Sequence, residues 1–235
     1  MSYIQVQNLT KQYGSGEATV KAVREMTFNI KAGEFVGIMG ESGSGKSTLL
    51  TMMGALSFPT SGTYGVDGID VYALGQDQRA DFRREFLGFV FQTFYLIPYL
   101  KVLENVMLPL TTLKIKSQEK RAMASCALER VGLRNKSDRL PGEISGGEQE
   151  RVAIARAIAN EPSILLADEP TGNLDTKTSR GIMELFRALN ADGTTIVMVS
   201  HSRECARYAD RILQVSDGLL VEREPSLREV KTHVG

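Results

Sequence analysis

The sequence has little that would tie it to a charged polymer, a membrane interior or an oxidising compartment. Basic and acidic residues balance at 28 each over 235 residues, so no net positive field draws the chain to nucleic acid. Its two cysteines, Cys126 and Cys205, lie far apart, form no metal-ligand pair and read as inert thiols of a reducing compartment. Long hydrophobic runs are missing as well. The opening MSYIQVQNLTKQYG has no apolar core of a secretion signal. The uncharged stretch Leu87 to Leu100 contains Gln92 and Pro98 and is shorter than the about 20 apolar residues of a spanning helix. No low-complexity tract, repeat or linker divides the chain. With 42% hydrophobic and 24% charged residues, it is expected to fold as one soluble domain, with or without a subdomain.

Periodicity predicts an α/β fold. The N-terminal part is strand-rich: YIQVQNL alternates, MTFNI is short and apolar, and SGTYGVDGIDV sets turn residues between strand formers. EFVGIMG is a brief apolar run ending in glycine, and KSTLLTMMGAL after it has helical spacing. Residues 93–143 are expected to be mostly helical, with SQEKRAMASCALERVGL the clearest amphipathic segment. SILLA and TTIVMVS then read as buried strands, with TKTSRGIMELFRALN as the helix between them. Such alternation predicts a mostly parallel sheet covered on both faces, with the helical stretch inserted into it.

The residue with the most explicit chemistry is Lys46, in GESGSGKS, Gly40 to Ser47. The stretch satisfies G-x-x-x-x-G-K-[ST] between a strand and a helix, the context a phosphate-binding loop requires. Gly40, Gly43 and Gly45 let the backbone wrap an anion; Lys46 would reach the β and γ phosphates, and the Ser47 hydroxyl would ligate Mg²⁺. SILLADEP ends a strand in Asp168 and Glu169, at the edge where α/β sheets place ligands. Asp168 is a candidate for holding the metal through water and Glu169 for polarising an attacking water; alternatively both cap a turn. His201 ends the strand TTIVMVS and either supports structure or touches a γ phosphate, whereas His233 sits in a polar tail and is read as idle. Gln92 follows the strand-like GFVF and can bond a metal ligand or water. Tyr13, before a Gly-Ser-Gly turn, either stacks on a nucleobase or is an exposed strand end. Finally, ISGGEQERVAIARA contains an S-x-x-E capping box, Ser145 and Glu148, with Gly146 and Gly147 leaving the first helical amides uncovered: a second anion-ready helix start.

Together these residues resemble the ATP-binding cassette (ABC) ATPases, and the likeness covers nearly the whole chain. In the family's order come Tyr13 as base-stacking residue, GESGSGKST as Walker A, Gln92 as Q-loop, and ISGGE as signature. ILLADEP then looks like Walker B, Asn173 to Asp175 like the D-loop, and His201 like the H-loop. GFVFQTFYLIPYLKVLENVMLPL and DEPTGNLDTKTS are similar to the LolD, MacB and FtsE branch. Ile144 stands where the family usually has Leu, and Glu148 where Gln is widespread.

The resemblance implies one ABC domain over residues 1–235, with a helical subdomain at about 93–160 inserted in a RecA-like core and an N-terminal antiparallel β subdomain. It implies ATP and Mg²⁺ as ligands, with Ser42, Ser44 and Thr48 completing the phosphate loop and Ser47, Gln92 and Asp168 at the metal. Glu169, His201 and Gln92 would serve hydrolysis. Ser145, Gly146 and Gly147 would meet the γ phosphate held by a second copy, in a head-to-tail dimer. The implied partner is an integral membrane permease, contacted through Phe94, Tyr95, Leu96 and Leu100 unless these belong to the subdomain core. The cassette would then sit at the cytoplasmic side of the inner membrane. An FtsE-like division ATPase that transports nothing, or a soluble non-transport cassette, are the alternatives.

Overall fold

Short apolar runs such as 35–39, 164–167 and 195–200 become strands here because both of their faces find apolar cover. The computed structural model describes residues 2–14 and 16–225, so His233 lies outside the described residues. The first half of the chain runs β1 (Ile4–Tyr13), β2 (Val20–Ile30), β3 (Phe35–Met39), α1 (Lys46–Met53), β4 (Ser61–Val66), β5 (Ile69–Asp70), α2 (Gln76–Phe86) and β6 (Leu87–Phe91). Three helices follow: α3 (Val102–Met107), α4 (Ser117–Arg130) and α5 (Gly146–Ile158). The remainder is β7 (Ile164–Asp168), α6 (Thr176–Ala191), β8 (Thr195–Ser200), α7 (Arg203–Ala206), β9 (Arg211–Ser216) and β10 (Leu219–Pro225).

Two sheets result. One is antiparallel, in the order β2-β1-β4-β5. The other has the order β10-β9-β3-β8-β7-β6 and is parallel except where β10 returns along β9. The expected α/β architecture with an antiparallel N-terminal sheet is what forms. Helix α2 and the hairpin β9–β10 are additions that the periodicity did not indicate. The sequence of α2, QDQRADFRREF, buries only Phe82 and carries no apolar stripe.

The period-2 rule of strands divides the core. Ile164 and Leu166 of β7 and Val197 and Val199 of β8 face α1 and the antiparallel sheet, where Leu49, Leu50, Met52 and Met53 are buried. Leu165, Ala167, Ile196 and Met198 face the opposite way, onto the helical layer of α3, α4, α5 and α6. Each leucine or methionine so buried contributes about 1.5–3 kcal/mol. The rigid product of this packing is an edge: β3, β8 and β7 are in parallel register, with Met39 opposite Ser200 and Asp168 opposite Val199. The residues that follow these strand ends therefore emerge side by side.

One polar side chain runs against this pattern. Glu150 of α5 is fully buried, and neither of its carboxylate oxygens has a hydrogen-bond partner. Burial pushes its pKa up to about 8, with nearby Arg156 pulling the other way. The folded protein thus holds a proton that the unfolded chain releases near its ordinary value of 4.5, and stability falls as pH rises between those two values. Glu150→Gln removes this titration. Its melting temperature should exceed that of the parent by several degrees at about pH 8, with the gap closing toward about pH 5. A gap of equal size at both pH values in thermal unfolding would contradict the buried-carboxyl account.

Candidate functional site

The turn from β3 into α1 is shaped by close approaches that exclude any side chain. A Cβ on Gly40 would lie 2.1 Å from the Val215 carbonyl oxygen, and one on Gly45 would lie 2.0 Å from that of Ala22. Gly45 also adopts φ 100°, which favours glycine. Two neighbours brace the loop: Gly218 N donates to the Ser44 carbonyl at 3.0 Å, and Arg24 N donates to the Gly218 carbonyl at 2.7 Å. Sequence reasoning missed Ala22, Val215 and Gly218 because they contribute backbone, from strands distant in the chain.

Lys46 is buried, and its Nζ donates to the carbonyls of Gly40 at 2.8 Å and Glu41 at 2.7 Å. Its charge is thereby folded over the loop. The Ser44 hydroxyl is buried without a partner. Ser47 Oγ donates to Asp168 Oδ1 at 3.1 Å, joining the first turn of α1 to the end of β7. Burial raises the Asp168 pKa above its ordinary value and the Glu169 charge adds to that, while the Ser47 hydrogen bond and Lys46 oppose it.

Glu169 follows in a strained conformation, φ 49°, worth about 1–3 kcal/mol for a residue with a side chain. It is held there by its amide, which donates to the Val199 carbonyl at 3.0 Å, and by Gly172 N, which donates to its own carbonyl at 3.0 Å. The turn directs the carboxylate at His201, whose Nδ1 lies 2.8 Å from Glu169 Oε2. The histidine side chain is 68% exposed and the glutamate 16%. Gln92, at the end of β6, is exposed; Asn173 Nδ2 donates to its carbonyl at 2.9 Å, and a Cβ on Gly172 would lie 2.8 Å from its Nε2.

A cavity of about 630 Å³ opens between these groups. Ser42, Gly43, Gly45, Lys46, Ser47 and Thr48 line one side, Gln92, Glu169 and His201 the other, and Ala22 of β2 the rim. Residues from widely separated parts of the chain are thus brought together. Tyr13 stands apart from the cavity lining, half-exposed at the end of β1, with Lys11 Nζ 5.0 Å from its ring centroid. Asp168 lies behind the lining, reached through Ser47.

Ser145, Gly146 and Gly147 do not line this cavity either. Ser145 and Gly146 are exposed, Gly147 half-buried. Ser145 caps α5: its Oγ accepts from Glu148 N at 3.3 Å, and Glu148 Oε2 accepts from Ser145 N at 2.9 Å. The two glycines have different causes. A Cβ at Gly147 would lie 2.3 Å from Thr178 Cγ2 of α6, so close helix packing alone requires glycine there. At Gly146 the nearest contact would be an ordinary 3.9 Å to Leu174, and packing does not demand its glycine.

The positions expected to contact a membrane partner divide similarly. Tyr95 is 63% exposed and lines a second cavity of about 550 Å³, whereas Leu96 packs against the helical core. Phe94 and Leu100 are half-buried and outside that lining. The groove's apolar wall comes instead from Leu56, Phe89, Phe91, Leu108 and Pro109.

Comparison with known proteins extends this geometry. The ABC transporter family model matches residues 23–172. The ABC transporter ATP-binding protein YknY of Bacillus subtilis is 48% identical over 227 residues, covering 97% of this chain and 99% of that one. The macrolide export ATP-binding/permease protein MacB of Rhodopirellula baltica is 46% identical, and the match covers 93% of this chain but 32% of MacB. Among solved structures, the dimeric cassette MJ0796 of Methanocaldococcus jannaschii superposes with a TM-score of 0.86 at 45% identity, covering 94% of this chain and 98% of that one. The same cassette is also known as a dimer in a post-hydrolysis state bound to ADP and phosphate. Matched over most of its length by the family model and over nearly all of it by these relatives, the chain belongs to the ABC transporter family, as an ATP-binding, ATP-hydrolysing cassette.

Proposed function

We propose that two copies of this chain close head to tail around two ATP molecules and that this closure drives an integral membrane permease. The observation that carries the reading is the split of the anion-binding parts. The loop Gly40–Thr48 with Gln92, Glu169 and His201 makes an open cavity, while the second anion-ready helix start, Ser145–Gly147, sits elsewhere on an accessible surface. A second copy is what would bring that helix start onto the γ phosphate, as a positively polarised helix end with uncovered amides. The dimeric state of MJ0796 supports this arrangement.

In each composite site the loop amides and Lys46 would cradle the phosphates, with Tyr13 beside the base. Ser47 and Asp168 fit Mg²⁺: a hydroxyl and a carboxylate lie 3.1 Å apart, both hard oxygen donors, with Gln92 across the cavity. The ion would supply charge neutralisation at the β and γ oxygens. Glu169 would accept the proton of the attacking water, and its strained φ directs the carboxylate toward the cavity. His201 would orient that carboxylate through Nδ1, leaving Nε2 for the γ phosphate. The protein's contribution is mainly position and charge.

The residues from about 93 to 160 form, in this reading, a helical subdomain inserted into the nucleotide-binding core. The apolar groove between it and the core, walled by Leu56, Phe89, Phe91, Tyr95 and Leu108, would receive a short helix of the permease. Among the described residues no helix is long and apolar enough to cross a membrane, so membrane attachment would run through that partner. The likeness to MacB, a macrolide export ATP-binding/permease protein, supports a permease as the partner.

Two substitutions test the assignments. Glu169→Gln should retain ATP binding, lower turnover by about 10²-fold or more and accumulate an ATP-dependent dimer in sizing chromatography. A variant that stays monomeric with ATP would count against the head-to-tail closure. Lys46→Ala should weaken ATP binding about 10- to 100-fold by calorimetry, the value of a charge-assisted contact. Near-parental affinity would refute the role given to the lysine.

A further inference from the structure

The start of α5 contains a like-charge problem. Ser145 is the residue expected to meet the partner's γ phosphate, yet its hydroxyl donates to Glu148 Oε2 at 3.0 Å, and its amide donates to the same oxygen at 2.9 Å. The Ser145 amide above all holds the Glu148 carboxyl below its ordinary range, with smaller help from the Ser145 hydroxyl and Lys136, against burial, the second-largest influence. At neutral pH the group is therefore a carboxylate, hydrogen-bonded to the residue that an incoming polyanion would meet. Left unpaired, it would repel the phosphate that the helix start is arranged to attract.

Lys136 answers that charge. Its Nζ lies 3.5 Å from Glu148 Oε1, the oxygen that the Ser145 groups do not use, and both side chains are partly sheltered, at 35% and 28% exposure. The lysine comes from the turn Arg134–Lys136, which precedes α5 in the chain and is no part of its cap. Glu148 is thus gripped on both oxygens, one by the helix start and one by Lys136.

We propose that Lys136 is a positioning residue of the composite ATP site: it keeps Glu148 turned back and neutralised, so that the partner's γ phosphate meets the Ser145 hydroxyl and the Gly146 and Gly147 amides. The inference rests on the head-to-tail reading above. It adds that the affinity of closure is set by the charge balance of this pair as well as by the phosphate contacts. Glu148→Gln separates charge from shape, because the carboxamide oxygen can still accept from the Ser145 amide and complete the cap.

The test uses the Glu169→Gln parent, in which ATP should trap the dimer, with sedimentation velocity giving the ATP concentration at half-dimerisation. A fluorescent ATP analogue at dilute protein gives the monomer's own affinity. Lys136→Met should raise the half-dimerisation concentration about fivefold, more at low salt, without changing monomer affinity. Glu148→Gln should lower it, and adding Lys136→Met to Glu148→Gln should change it by less than about twofold. An indifferent Lys136→Met, or a loss that persists undiminished beside Glu148→Gln, would overturn the proposal while leaving the composite site intact. A parent that fails to dimerise with ATP would instead remove the head-to-tail reading and this inference with it.

Discussion

The attraction between a triphosphate and the uncovered amides of helix starts is the constraint on which the rest of the structure depends. Helix α1 begins at Lys46, directly after a loop whose glycines are forced by the carbonyls of Val215 and Ala22. Helix α5 begins at Gly146, capped by Ser145, on a separate exposed surface. An anion that satisfies both ends lowers the energy of a closed pair of chains, and removing its γ phosphate removes that gain. The parallel sheet serves this arrangement by delivering Gly40, Glu169 and His201 from the ends of adjacent strands.

One strained residue and one unmet polar group lie where that anion would act. Glu169 occupies a left-handed backbone conformation, and the Ser44 hydroxyl is buried without a partner. The segment after Gln92 links the cavity to the groove through specific anchors. Asn173 holds the Gln92 carbonyl, Arg156 of α5 donates to the carbonyls of Phe94 and Tyr95 at 2.7 and 2.6 Å, and buried Asn105 bonds Ile97, Leu100 and Lys101.

Much of this was legible in the sequence, for a physical reason. Phosphate loops and helix caps need particular residues at short fixed spacings, so the turn Gly40 to Thr48, the strand-end carboxylates Asp168 and Glu169 and the Ser145–Glu148 box could be picked out locally. The strands β3, β7 and β8 were legible because burial on both faces demands continuous apolar runs. What stayed hidden depends on distant contacts. Ala22 and Gly218 act through backbone atoms. A side chain at Gly147 would run into Thr178 of α6, a packing reason for glycine that the motif alone does not show. Glu150 of α5 is buried, a placement set by the packing of the helical layer. For Leu96 the sequence left partner contact and subdomain core open, and the structure packs it, half-buried, against the helical core.

The central claim is that the signature helix of one chain completes the ATP site of another, and it can be tested without the membrane partner. In the Glu169→Gln background, Ser145→Arg places a bulky side chain at the exposed helix start and leaves the cavity lined by Lys46 and Ser47 untouched. Sedimentation equilibrium at saturating ATP should find this variant bound to nucleotide with the parent's affinity and monomeric. A dimer as stable as that of the parent would contradict the account.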